Sequence, residues 1–140
     1  MTKRSGVLRD SQKDFLTYYN KKPSRAALAV EREVFGINAG IVSYTTPEQA
    51  DELASALELT PTMRLLEIGA GTGWPGVYLA KQSGCEAVLT DVPVSGIRTA
   101  TRRAVEEGVQ RHVCGIGASG SHLPFRSRSF DAVVHSDVLC

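Results

Sequence analysis

Glu67, Gly69, Gly71 and Gly73 alternate through the stretch LLEIGAGTGWPG, with Ala70 between the first two glycines, and Asp91 follows at the end of EAVLTD. Glycine admits positive φ and carries no Cβ, so a ligand can lie directly against the main chain. An acid at the end of the next strand can accept both hydroxyls of a ribose, and its charge disfavours a 2′-phosphate, which makes NADP a poor guest. Gly71-Thr-Gly73-Trp-Pro-Gly76 satisfies G-x-G-x-x-G, the dinucleotide fingerprint, with Asp91 twenty residues beyond Gly71. Gly69, however, already follows the apolar run. The frame is therefore Glu67-x-Gly69-x-Gly71-x-Gly73, and an acid followed by glycines at every second position is not part of the dinucleotide pattern.

These residues need a strand, a turn and a helix to hold them. MRLLEIG reads as a short apolar strand, residues from about Trp74 to Gln82 as a helix stopped by Gly84, and EAVLTD as a second strand. A helix from about Gly96 to Glu107 ends near Gly108, HVCGIGA reads as a third strand and FDAVVHSDVL as a fourth. That order predicts an α/β fold, a Rossmann-like and mostly parallel sheet with helices on both faces. The intervening SGSHLPFRSRS carries small polar residues and Pro124, and reads as loop. Upstream, Ser24 can cap a helix to about Phe35, stopped by Gly36. In TTPEQADELASAL, Thr46 is an N-cap, Pro47 takes the first helical position and Gln49 completes a capping box. Ala50, Leu53, Ala54 and Leu57 then share one apolar face. The chain divides into an N-terminal helical extension, residues 1–62, and a sheet unit, residues 63–140.

LLEIGAGTGWPG followed by VLTD resembles the class I S-adenosyl-L-methionine-dependent methyltransferases. LPFRSRSFDAVVHSDVL is similar to the matching segment of their small-molecule subgroup, often called type 11. The resemblance spans about Met63 to Cys140. It implies that Gly69, Ala70, Gly71 and Gly73 form the cofactor loop. Glu67 would orient that loop and the cofactor's amino group, and Asp91 would hold the ribose. Where the family often has Asp-Ala, with the acid on the adenine amino group, this chain has Ser119 and Gly120; a serine still accepts a hydrogen bond, or the backbone reads the adenine. Leu123 and Phe125 read as packing residues.

The resemblance places His135 and Asp137, at the end of the fourth strand, beside the methyl to be transferred. They alternate with Ser136 and so share one side of a strand. Each is a candidate general base or substrate contact; a partly buried histidine and a capping aspartate are the alternative reading. Leading helices in similar enzymes fold over the cofactor, which makes Tyr44 a candidate lid contact. Trp74 reads as a staple between the glycine turn and the N-terminal segment. The family sheet has seven strands and four are legible here, so the chain reads as a truncated methyltransferase acting on a small-molecule acceptor. Two other readings stay open, a fragment of an NAD-binding oxidoreductase and a non-catalytic cofactor-binding remnant.

The net charge of +1 favours no nucleic-acid partner. Residues 1–32 are nonetheless basic, with eight Lys or Arg against three acids, which fits a solvated arm or one that touches phosphates or an anionic substrate. MTKRSGVLRD has no apolar stretch after its charges, and no run approaches the roughly 18 apolar residues of a membrane helix. Cys85, Cys114 and Cys140 are far apart and read as reduced thiols of a cytoplasmic protein. His112 and Cys114 are the one close His/Cys pair, too few ligands for zinc.

Overall fold

Local signals set the ends of the N-terminal helices. The Ser24 hydroxyl accepts the Ala27 N–H at 3.1 Å, and Gly36 turns left-handed at φ 73°; between them lies α1 (Arg25–Phe35). Thr46 and Gln49 form the reciprocal capping box of α2 (Pro47–Ala56), with Pro47 in its first turn. The computed structural model describes Asp14, residues 17–136 and Val138. Residues 17–20 are helical. After α2 the order is β1 (Arg64–Ile68), α3 (Gly76–Ser83), β2 (Glu86–Asp91), α4 (Val94–Glu106), β3 (Val113–Gly117) and β4 (Ala132–His135).

The four strands form one parallel sheet in the order β3-β2-β1-β4. β1, β2 and β3 step in one direction, and right-handed crossovers then put both connecting helices on the same face. Leu65, Ala87, Val113 and Ala132 lie side by side in register on that face, where they join Leu79, Leu89 and Ala100 in the core. Ala50 of α2 is buried in the same cluster, so the N-terminal extension shares the core of the sheet unit.

β4 returns to the other side of β1, and its connection crosses the opposite face. Helices were expected on both faces; within the described residues the second is crossed by the loop of residues 118–131. Pro124 and the small polar residues there give no helical stretch. A Cβ on Gly120 would press on Ile68, and the Arg64 guanidinium lies 5.3 Å from the centre of the Phe130 ring. Phe130 meets Phe125 edge to face at 4.9 Å, which matches the packing role read for Phe125. The Asp131 carboxylate accepts the Arg64 N–H at 2.7 Å and fixes the start of β4. Leu66 and Val88 are buried on this face, but Val133 is 53% exposed.

Two boundaries differ from expectation. α3 starts at Gly76 rather than Trp74, because Trp74 and Pro75 complete the turn and Pro75 stands at the N-cap. α4 starts at Val94, directly after Pro93, two residues before Gly96. Leu89 is fully buried between the sheet and α3. Leu89→Ala should lower stability by about 2–5 kcal/mol in equilibrium urea unfolding, as core Leu→Ala changes do; a loss under about 1 kcal/mol would remove Leu89 from the core.

Candidate functional site

The turn between β1 and α3 is built on three left-handed glycines, Gly69 at φ 71°, Gly71 at 52° and Gly73 at 99°. Any other residue would be strained at these angles. The end of β2 holds the turn. The Thr90 carbonyl accepts the N–H groups of Gly69 and Ala70 at 2.8 and 3.0 Å, and the Thr90 hydroxyl donates back to the Glu67 carbonyl at 2.9 Å. Asp91 takes the next amide: its Oδ2 accepts the Gly71 N–H at 2.7 Å, while Oδ1 accepts its neighbour Val92 N–H at 2.7 Å. Burial pushes the Asp91 carboxyl above its ordinary value, and the two N–H groups oppose that rise. Gly73 has a packing reason besides its angle, since a Cβ there would crowd Ala100 and Val77 where α4 meets α3.

Glu67 is fully buried, on the sheet face covered by α3 and α4. Its Oε2 accepts the Gly76 N–H at 3.0 Å, so it holds the far end of the turn, where α3 begins. A Cβ on Gly76 would overlap that carboxylate. Oε1 is buried without a hydrogen-bond partner among the described residues, and desolvation raises the Glu67 pKa to about 8. The carboxyl is thereby held neutral at moderate pH, because an isolated buried charge costs more than giving up its ionisation.

β1 and β4 are neighbours while the chain leaves β1 towards β2, so the strand order reverses between them. In open parallel sheets ligands bind at such a point, beyond the carboxyl ends of the strands. The segment before α2 closes over this end. The Trp74 indole N–H donates to the Thr45 carbonyl at 2.9 Å, the staple expected from its sequence. The Thr45 and Ser136 hydroxyls lie 2.6 Å apart, and Ser136 donates to Ser43 at 3.3 Å. Tyr44, between two inward-turned neighbours, is 90% exposed, contrary to a lid contact in this conformation. Tyr19 lies against the turn instead: its hydroxyl is 3.2 Å from where a Cβ on Gly71 would be, and its ring edge borders Gly96. Burial and the nearby Asp91 charge push its hydroxyl up to about 12. The available sequence signal was the Tyr18-Tyr19 pair, two aromatics in a polar, basic segment.

His135 is exposed at the end of β4, in register with Ile68 on the face away from α3 and α4. Asp137 lies outside the described residues, as does Cys140. Val138 packs against Gly69. Ser119 is half-buried beyond β3; its hydroxyl is 2.9 Å from that of Ser121, which reaches the His122 ring at 2.9 Å. The Ala118 N–H bonds the Asp91 carbonyl at 3.0 Å, which brings this loop to the same end of the sheet. Cys85 and Cys114 are free thiols. Among the described residues no group of three His, Cys, Asp or Glu is placed to hold a metal, and no helix is long and apolar enough to cross a membrane.

A family model described as "Methyltransferase domain" matches residues 66–140, over half of the chain. The chain belongs to this methyltransferase family. A curated relative, "Methyltransferase GfsG" of Streptomyces halstedii, is 26% identical over 113 residues, covering 73% of this chain and 41% of its own length. The chain thus spans well under half of that relative. Geranyl diphosphate C-methyltransferase from Streptomyces coelicolor A3(2) shares the fold, with a TM-score of 0.65 at 21% identity over 89% of this chain and 53% of that one. A methyltransferase of Geobacter sulfurreducens solved with S-adenosyl-L-homocysteine is 32% identical, with a TM-score of 0.51 over 56% of this chain and 31% of that one.

Glu67 gives this methyltransferase domain a pH signature. Its pKa is about 8 in the fold against an ordinary 4.5, so the folded state keeps a proton that the unfolded chain has lost. That stabilisation is complete below pH 4.5 and is lost as pH rises through about 8. Denaturant midpoints across this window should fall with pH, and Glu67→Gln should flatten the fall; an unchanged slope in the variant would clear Glu67.

Proposed function

We propose that this chain is the cofactor-binding half of an S-adenosyl-L-methionine-dependent methyltransferase that acts on a small-molecule acceptor in the cytoplasm. One observation carries the reading: the left-handed glycine turn beside Asp91, at the β1/β4 reversal of a methyltransferase-family sheet. The residues present fit the cofactor. Gly69 and Gly71 leave the main chain uncovered by a Cβ, and each Asp91 oxygen, already bonded to one N–H, keeps a further lone pair for a ribose hydroxyl. Ser119 stands at the same sheet end for the adenine, by its hydroxyl or its backbone. The acceptors named for relatives, geranyl diphosphate and botryococcene among them, support a small acceptor. Free thiols at Cys85 and Cys114 support a reducing compartment.

When bound, S-adenosyl-L-methionine supplies an already activated sulfonium methyl. The protein's task is then orientation and exclusion of water, which can be worth several kcal/mol. Tyr19 covers the turn and the 43–46 segment closes the β4 side. In this reading His135, with Asp137 two residues on, faces the acceptor as a polar contact, or as a base where the acceptor must lose a proton. Glu67 serves the cofactor indirectly, by holding the N-terminus of α3.

Thermal-shift titration tests the reading against an NAD-binding fold. S-adenosyl-L-homocysteine should raise the melting temperature while NAD leaves it unchanged; the reverse result would sink the proposal. Gly71→Val should abolish the shift, by strain at φ 52° and by a side chain on the ligand surface. Asp91→Ala should weaken S-adenosyl-L-homocysteine binding by about 1.5–3 kcal/mol, the range for a hydrogen bond to a charged group. Calorimetric affinity within twofold of the parent would remove Asp91 from the site.

A further inference from the structure

Away from the glycine turn, α1 with its following residues and the outer sides of α3 and α4 enclose a cleft of about 340 Å³. Three cations line it, Arg32, Lys81 and Arg103, each from the last turn of a different helix. Cations there ordinarily offset the negative end of a helix. Two of the three have a plain account: Arg32 is exposed, and Lys81 pairs with Glu107 at 2.5 Å. Arg103 does not. It is half-buried, its Nε is fully inaccessible and has no hydrogen-bond partner, and it makes no ion pair among the described residues.

The acids around Arg103 are engaged elsewhere. Glu31 Oε1 accepts the Ala39 and Ile41 N–H groups at 3.0 and 2.8 Å and so shapes the cleft wall. Glu106 faces Arg102 at 3.8 Å, and Glu107 holds Lys81. Their charges favour the guanidinium from a distance, while burial works against it. Gly40, left-handed at φ 67°, lets the main chain lie on the guanidinium, where any Cβ would overlap it. At the helix ends that meet here, the Arg32 carbonyl accepts the Gly36 N–H and the Arg103 carbonyl accepts the Glu107 N–H. The guanidinium is thus held at the cleft wall with its Nε–H buried and unpaired, and burying a donor unpaired is costly.

We propose that this cleft binds a small oxyanion, a carboxylate or phosphate group, through the Arg103 guanidinium with Arg32 and Lys81 at its rim. An oxyanion supplies the paired acceptors that a guanidinium fork matches. No residue of the glycine turn lines the cleft, so this site is independent of the proposed cofactor site.

The test is an NMR titration of the 140-residue chain, following arginine Nε–H and backbone amide signals. Inorganic phosphate, acetate and chloride are compared at matched ionic strength. Phosphate or acetate should move the Arg103 Nε–H signal and the Ile37, Asn38 and Tyr78 amides along one saturable curve; the stronger of the two identifies the headgroup. Arg103→Met should lose the curve and keep its response to S-adenosyl-L-homocysteine. Linear drift shared with chloride, or a saturable curve that survives Arg103→Met, would overturn the site. Should that variant fail to fold, the exposed pair Arg32→Gln/Lys81→Gln must weaken phosphate or acetate binding several-fold; undiminished binding overturns the proposal as well.

Discussion

The carbonyl of Thr90 accepts two consecutive N–H groups, those of Gly69 and Ala70, and the carboxylate of Asp91 takes the third, from Gly71. A chain leaving β1 is thereby bound to the last two residues of β2 before it can enter α3. Turn residues that would otherwise wander are held by the strand next door, and three left-handed glycines permit the path. Glu67 completes the restraint from below, since its buried carboxyl oxygen accepts the first amide of α3. The turn is thus held at its start by main chain, at its centre by one acid and at its end by another. Strand pairing, helix start and candidate site depend on the same few bonds.

Much of this was legible because it is local. Ser24, Thr46, Pro47, Gln49, Gly36 and Gly84 act within a turn of their own positions, and each bounds a helix where its type predicts. Strand β2 matches EAVLTD to the residue, since an apolar run between Cys85 and Val92 has few other solutions. The outward turn of Tyr44 and the place of Tyr19 against the glycine turn were not legible. Thr45 meets Ser136 and Trp74, far along the chain, and those contacts turn Tyr44 outward. The Tyr18-Tyr19 pair stands out in its polar segment, but the sequence there does not say that the Tyr19 ring reaches Gly71. The start of α3 lies later than expected because Trp74 and Pro75 complete the turn, with Pro75 at the N-cap.

The two sheet faces are made differently. One is closed by α3 and α4, whose small residues Ala80, Ala100 and Ala104 let helices sit close to the strands. The other is crossed by a loop that relies on individual contacts: Phe130 under the Arg64 guanidinium, Phe125 against Phe130, Asp131 on the β1 amide. Loss of one contact on the helical side leaves a continuous core, whereas the loop side has few alternatives. Val133 and Cys114 on that side remain open to solvent.

The Tyr19 ring lies on the glycine turn, on the same chain that builds it. A side chain that rests where a ligand would rest is itself a ligand, present at a local concentration set by its tether rather than by the solution. Any guest that needs the Gly71 surface bare finds it only in the fraction of molecules whose ring has swung away, and its apparent affinity is scaled by that fraction. A guest that keeps the ring in place gains a cover already paid for in ordering. Residue 19 therefore bears on how much of the Gly71 surface stands open.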